Sequence, residues 1–149
     1  MPSMKILLIA GGWSSEREVS LTGARGMQEA LVRRGHAVTF FDLLEHFDDL
    51  LETARQHDFA LINLHGSPGE DGLVQAMLEK ADCSYQGSGP SGSFLALNKA
   101  AAKQIFRMAG LPTADWEFLP VRPAAGWEPR LPWPLFVKST TGGSSLRLG

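Results

Sequence analysis

The sequence predicts an α/β fold, an open parallel sheet with flanking helices of the Rossmann-like kind, followed by the beginning of a second unit. Three observations predict it. Apolar runs at 5–10, 37–41 and 59–64 alternate with segments of helical period. Each run ends at a polar loop carrying glycine or acid, as strands of open α/β sheets do where ligands bind. Beyond residue 120 the composition changes, and residues 120–134 hold five of the nine prolines.

The first run, Ile6-Leu7-Leu8-Ile9-Ala10, is apolar throughout, as a strand buried on both faces must be. It leads into Gly11-Gly12-Trp13-Ser14-Ser15-Glu16-Arg17-Glu18-Val19-Ser20, where the glycines permit a sharp turn and close approach to a ligand. Val19, Leu21, Ala24, Met27, Ala30 and Leu31 then recur at helical spacing and predict a helix from about Glu18 to Arg34, closed by Gly35. Ala37–Phe41 reads as the second strand, with Asp42 at its end. A short helix over Phe47–Arg55 and a third strand over Phe59–Leu64 complete βαβαβ, which right-handed crossovers make a parallel sheet.

The loop His65-Gly66-Ser67-Pro68-Gly69-Glu70-Asp71-Gly72 precedes a helix over Leu73–Ala81 that turns Leu73, Val74, Met77 and Leu78 inward. A Gly/Ser-rich turn over 86–92 follows, then helices over Phe94–Leu97 and Asn98–Met108, the latter stopped by Gly110 and Pro112. Residues 120–134 read as an irregular excursion, Leu135–Lys138 as a strand, and Ser139–Ser145 as a flexible loop. This last strand and loop have no elements behind them to bury their apolar faces. The order therefore predicts one complete domain, 1–97, and an incomplete one, 98–149.

At 149 residues, 44% hydrophobic and 20% charged, the chain can bury a core. A net charge of −2 and no basic run argue against nucleic acid or a membrane surface as partner. No apolar stretch approaches the roughly 18 residues that span a bilayer, and Met1–Lys5 lacks a cleavable leader pattern. A lone cysteine, Cys83, excludes an internal disulfide framework and suits a reducing cytoplasm.

Chemistry concentrates at the strand ends. Glu16 beside a helix N-terminus suits a positively charged ligand group, such as an amino-acid ammonium, better than a bare phosphate. Glu18 serves equally as a dipole-complementing residue. His65, at the carboxyl end of the third strand, can donate to a carboxylate or exchange a proton. Glu70 and Asp71 shape an acidic loop, with helix capping by Asp71 the simpler reading; no second histidine or cysteine nearby supports a metal. Lys138 before a Gly/Ser/Thr loop offers a point charge with backbone donors, the chemistry of a phosphate grip, though no P-loop string is present. Lys99 at a helix start is a second such cation. Trp116, Trp127 and Trp133 suit packing better than ligand stacking. Asp42 alternatively suits a ribose-binding acid of a dinucleotide domain, but the first loop lacks G-x-G-x-x-G and carries Glu16.

Taken in order, Gly11-Gly12-x-Ser14-x-Glu16-Arg17-Glu18-Val19-Ser20, Leu64-His65-Gly66 with Gly69-Glu70-Asp71-Gly72, Tyr85-x-Gly87-Ser88-Gly89, Asn98-Lys99, Ala109-Gly110-Leu111-Pro112 and Val137-Lys138 with Gly143-Ser144-Ser145 resemble the N-terminal half of the D-alanine–D-alanine ligase family of the ATP-grasp superfamily. That resemblance implies a pre-ATP-grasp domain followed by the start of an ATP-grasp domain. It also implies ATP-dependent joining of two D-alanines through an acyl phosphate, in cytoplasmic peptidoglycan precursor synthesis by a homodimer. Glu16 would bind the ammonium of the first D-alanine, and Ser144 would link that substrate to Glu16. Val19, His65 and Glu70 would line the substrate pocket. Lys99, Lys138 and Ser145 would contact ATP, with the Mg²⁺ ligands expected outside this chain. The sequence departs from the family at Ser139, where proline is usual, and at Leu146-Arg147, where Val-Gly is usual. A chain of this extent is expected to be inactive alone, and a non-catalytic substrate-binding or assembly module of the same fold is the alternative.

Overall fold

The computed structural model describes residues 2–142. The chain divides after Phe94 into two compact units.

The first unit is built on a four-stranded parallel sheet, β1 (Lys5–Ala10), β2 (Ala37–Asp42), β3 (Phe59–Ile62) and β4 (Ser84–Tyr85), in the order β2-β1-β3-β4. Central β1 is buried from Ile6 to Ala10, as its unbroken apolar run requires. Its side chains alternate between two cores. Leu7 and Ile9 join Phe41, Leu43, Leu50, Ala60, Val74 and Leu78 on one face, while Leu8 and Ala10 meet Ala24 on the other. Helix α1 (Arg17–Arg33) covers the second face; α3 (Leu50–Ala54) and α4 (Leu73–Lys80) cover the first. Helices on both faces, with the chain moving from one side of β1 to the other after β2, place the topological switch point between the carboxyl ends of β1 and β3.

Several elements differ from the sequence expectation for identifiable reasons. The expected helix over 47–55 is broken into α2 (Leu43–His46), a 3₁₀ turn (Phe47–Asp49) and α3. Asp42 starts helical structure early by accepting a hydrogen bond from Leu44 N at 3.1 Å. The α1 stripe is centred on buried Ser20 and Ala24, small residues that let the helix lie close to the sheet, while Val19 and Met27 are exposed. Leu73 is likewise exposed, and Val74 and Leu78 carry the α4 packing. Strand β3 ends at Ile62, although Asn63 N still donates to Ile9 O at 2.8 Å, and the Asn63 side chain bonds to α1 through Ser20 O. The unexpected β4 is two residues long, and the Gln86 side chain continues its ladder: Ile62 N donates to Gln86 Oε1 at 3.0 Å and Gln86 Nε2 donates to Ile62 O at 2.6 Å.

Helix α5 (Pro90–Leu97) begins at proline, four residues before the expected start, since proline's missing N–H costs nothing in a first turn. In the second unit, Asn98 caps α6 (Lys99–Met108) through Ala101 N at 3.0 Å. The expected strand over 135–138 does not form among the described residues, where no strand lies beside it to supply hydrogen bonds, and Phe136 and Val137 are exposed. Trp127 and Trp133 are also exposed, Trp133 at 74%, against the packing role expected of them.

Candidate functional site

The glycine turn after β1 has φ of +78° at Gly11 and +75° at Gly12, the left-handed region that a side chain resists. Two polar devices hold it. Ser20, fully buried on α1, accepts from Gly11 N at 2.8 Å and donates to Asn63 O, while Asn63 Nδ2 donates back to Ser20 O at 2.7 Å. These bonds tie the ends of β1 and β3 together through α1. On the other side, Arg17 donates to both carboxylate oxygens of Asp42, at 2.7 and 2.6 Å, and weakly to Gly12 O at 3.3 Å. The bonded guanidinium holds the Asp42 carboxyl below the usual carboxylate range, and Asp42 in turn raises Arg17. With both oxygens engaged, Asp42 does not present the ribose-binding acid of a dinucleotide domain.

Glu16 occupies the N-cap position of α1, yet its side chain makes no capping bond. Its main chain is fixed instead, by Glu16 N donating to Ser14 Oγ at 3.1 Å and Ser20 N donating to Glu16 O at 3.1 Å. The carboxylate reaches the loop after β3, where a Cβ on Gly66 would stand 4.0 Å from Glu16 Oε2 and 3.5 Å from Ser14 Cβ. Glu16 and the segment Leu64-His65-Gly66 therefore meet at the switch point, with His65 half-buried beside Gly66. Gly12 joins the same contact, since a Cβ there would lie 3.3 Å from Leu64 and 3.4 Å from Pro68.

The β3 loop is built tightly. A Cβ on Gly69 would collide with Leu64 at 2.2 Å, and buried Gln75 Nε2 donates to Gly69 O at 2.6 Å. Asp71 accepts from Leu73 N at 3.0 Å and from Ser67 Oγ, so it serves the loop and the start of α4. Glu70 is exposed, as are Glu18 and Val19 on the first turn of α1.

In the second unit, Lys99 N donates to Thr140 O at 2.9 Å and Lys99 Nζ donates to Gly142 O at 2.5 Å. The loop over 139–142 thus lies on the N-terminus of α6, and Lys138 is exposed at its start. Ser144 and Ser145 lie outside the described residues. Among the described residues, no group of three or more His, Cys, Asp or Glu side chains is placed to hold a metal ion.

The sequence singles out Glu16, His65 and the glycines as candidates but gives Arg17, Ser20 and Asn63 no role. Their signal was faint: a polar residue on the buried stripe of a helix, and a cation and an acid on separate elements.

A D-alanine–D-alanine ligase of Desulfovibrio desulfuricans is 76% identical over 146 residues, covering 98% of this chain and 48% of that protein. One from Lawsonia intracellularis is 56% identical over 145 residues, again 48% of its length. The chain aligns with the N-terminal half of D-alanine–D-alanine ligases. It spans about half the length of the curated relatives it matches. Among solved structures, the Bacillus anthracis D-alanine–D-alanine ligase complexed with ATP superposes with a TM-score of 0.73 at 36% identity, over 83% of this chain and 43% of that one. No family profile matches the chain.

Proposed function

We propose that this chain is the substrate-binding half of an ATP-dependent carboxylate–amine ligase that joins two D-alanines. The observation that carries the reading is Glu16, a carboxylate without a capping bond, held over Gly66 where the β1 and β3 loops meet. An anion there receives the ammonium of the first D-alanine. To His65, half-buried next to Gly66, we assign donation to that substrate's carboxylate, and to Glu70 and Val19 the shaping of the approach. ATP supplies a phosphoryl group to the carboxylate, and the second amine then displaces phosphate. This chemistry needs positioning and charge neutralisation more than covalent help from the protein.

We assign the polyphosphate of ATP to two cations of the second unit, exposed Lys138 and Lys99, whose ammonium is bonded to Gly142 O here and would exchange that carbonyl for phosphate oxygen. Ser145 belongs to the same assignment, and Ser144 to the link between substrate and Glu16. We assign the region from Asn98 onward to the start of an ATP-grasp domain and 1–97 to the substrate domain. Mg²⁺ ligation is assigned outside this chain. A homodimer, a cytoplasmic location and a place in peptidoglycan precursor synthesis belong to the same reading. No helix among the described residues is long and apolar enough to cross a membrane.

Adding D-alanine to the labelled chain should shift the amides of Gly11, Gly12, Glu16 and Gly66, and Glu16→Gln should abolish the shifts. Equal shifts in Glu16→Gln would sink the assignment. The half-length match favours one second reading, a substrate-binding module without turnover. ADP release with D-alanine and ATP separates them: none is expected from this chain alone, and activity on adding the C-terminal half of the Desulfovibrio desulfuricans relative identifies the ligase.

A further inference from the structure

Two polar side chains are buried among the described residues, Ser20 and Gln75, and each is bonded to a glycine in one of the two loops that meet at Glu16. Ser20 accepts from Gly11 of the first loop, and Gln75 donates to Gly69 of the second. Gln75 is the third residue of α4, a helix anchored in the core by fully buried Val74 and Leu78. A glutamine at that position commonly turns its oxygen back onto the N–H that opens the helix. Here Oε1 has no partner, and Nε2 reaches past the cap to Gly69 O at 2.6 Å. The orientation is forced, since a main-chain carbonyl accepts only from the nitrogen of the side-chain amide. Gly69 O takes no other hydrogen bond among the described residues.

We propose that Gln75 is a positioning residue for ligand binding: it fixes the loop after β3 so that Gly66 and its neighbour His65 meet the Glu16 carboxylate in the geometry an amino-acid substrate requires. The inference rests on the reading of Glu16 given above. The connection runs through the main chain. Gln75 holds Gly69 O, Gly69 N and Glu70 N both donate to Gly66 O at 2.9 Å, and Gly66 faces Ser14 and the Glu16 carboxylate. Gly69 has no free space on the Leu64 side, where a Cβ would collide. Fold stability gives little reason for a glutamine here. A methionine of similar volume would leave Gly69 O unpaired but would remove the orphaned Oε1, exchanging one unpaired acceptor for another. What methionine would not replace is the tether on the loop.

The test compares Gln75→Met with the wild-type 149-residue chain, by amide hydrogen exchange and by D-alanine titration followed through NMR amide shifts. The amides of Gly69 and Glu70 should exchange about tenfold faster in the variant, while those of Leu7, Leu8 and Ile9 keep the wild-type rate. D-alanine should bind about tenfold more weakly, the usual loss when the partner that orients a ligating group is removed. A residue that only supports the core would instead speed every slow amide together. That uniform response, or an unchanged affinity in the folded variant, overturns the proposal. Should Gln75→Met fail to fold, the wild type decides alone. D-alanine should then slow exchange at Gly69 and Glu70, because the loop opens only when the ligand leaves, and unchanged rates with D-alanine bound overturn the proposal. Absence of D-alanine shifts in the wild type would sink the reading of Glu16 instead, while the ligand-free exchange rates still judge the Gln75 tether.

Discussion

Alanine at Gly11 would be forced to hold a φ of +78° while its methyl group pressed on Arg17 Nη1 at 2.4 Å and Asp42 Oδ1 at 2.6 Å. Left-handed backbone alone costs a side chain about 1–2 kcal/mol, and displacing a paired carboxylate adds a comparable amount. Gly11→Ala should therefore destabilise the fold by about 2–4 kcal/mol, read as a lower denaturant midpoint. The Asp42 carboxyl is held below its unfolded value by the Arg17 hydrogen bonds, so its contribution is full above the ordinary carboxylate range. That contribution is lost as pH falls through the depressed folded value. Stability of the wild type should fall more steeply than that of Asp42→Asn between about pH 4 and pH 2, so the two denaturation midpoints should converge in acid. Cys83 is buried, and burial raises its thiol above the ordinary range. Among these residues Gly11 was legible in the sequence as a turn, because two consecutive glycines after an apolar run have few other uses. The pairing of Arg17 with Asp42, 25 positions apart, was not. Sequence shows the two charges but not which strands become neighbours.

Three helices end the same way. After α1, Gly35 N donates to Val32 O at 2.9 Å and His36 N to Leu31 O at 3.2 Å. After α4, Asp82 N donates to Glu79 O at 3.1 Å and Cys83 N to Leu78 O at 3.0 Å. After α6, Gly110 N donates to Arg107 O at 3.1 Å and Leu111 N to Phe106 O at 2.8 Å. Each is a Schellman closure, which satisfies last-turn carbonyls and turns the chain toward its next segment. Gly35 and Gly110 announced theirs in the sequence; Asp82 did not, since aspartate enters the left-handed region less often. Ser20 presents the reverse difficulty. A serine on a helix reads as a surface residue, yet here it is fully buried and satisfies Gly11 N and Asn63 O. Ser20→Ala should leave both groups unpaired in the interior, a loss of about 1–3 kcal/mol, and should broaden the Gly11 and Asn63 amide resonances. Strand β1 was the most legible element because an uninterrupted apolar run between turns leaves little choice. Strand β4 and the segment over 135–138 were the least, since strand formation depends on partners that periodicity does not reveal.

Across the whole chain, burial is unevenly shared. The first unit holds the buried core, with Leu7, Leu8 and Ile9 of β1 fully covered, whereas none of the described residues from 95 to 142 is buried. Hydrogen exchange should divide accordingly: amides of β1 and β3 exchange only by global unfolding, and those over 112–142 exchange many orders of magnitude faster. Slow exchange over 112–142 would contradict this division. The parallel sheet and its switch point were legible from the alternation of strands and helices; the approach of Glu16 to Gly66 needed the coordinates. The composition change after residue 120 marked irregular chain, but not that the following apolar residues would stand exposed. The Gln86 amide, paired with both main-chain groups of Ile62, bears on a hazard that every open sheet faces. Unsatisfied edge groups invite strands from other molecules, and two-residue β4 covers little of its neighbour. By spending a side chain there, the protein closes a template for intermolecular cross-β growth, and Gln86→Ala should shorten the lag before fibrils appear on agitation.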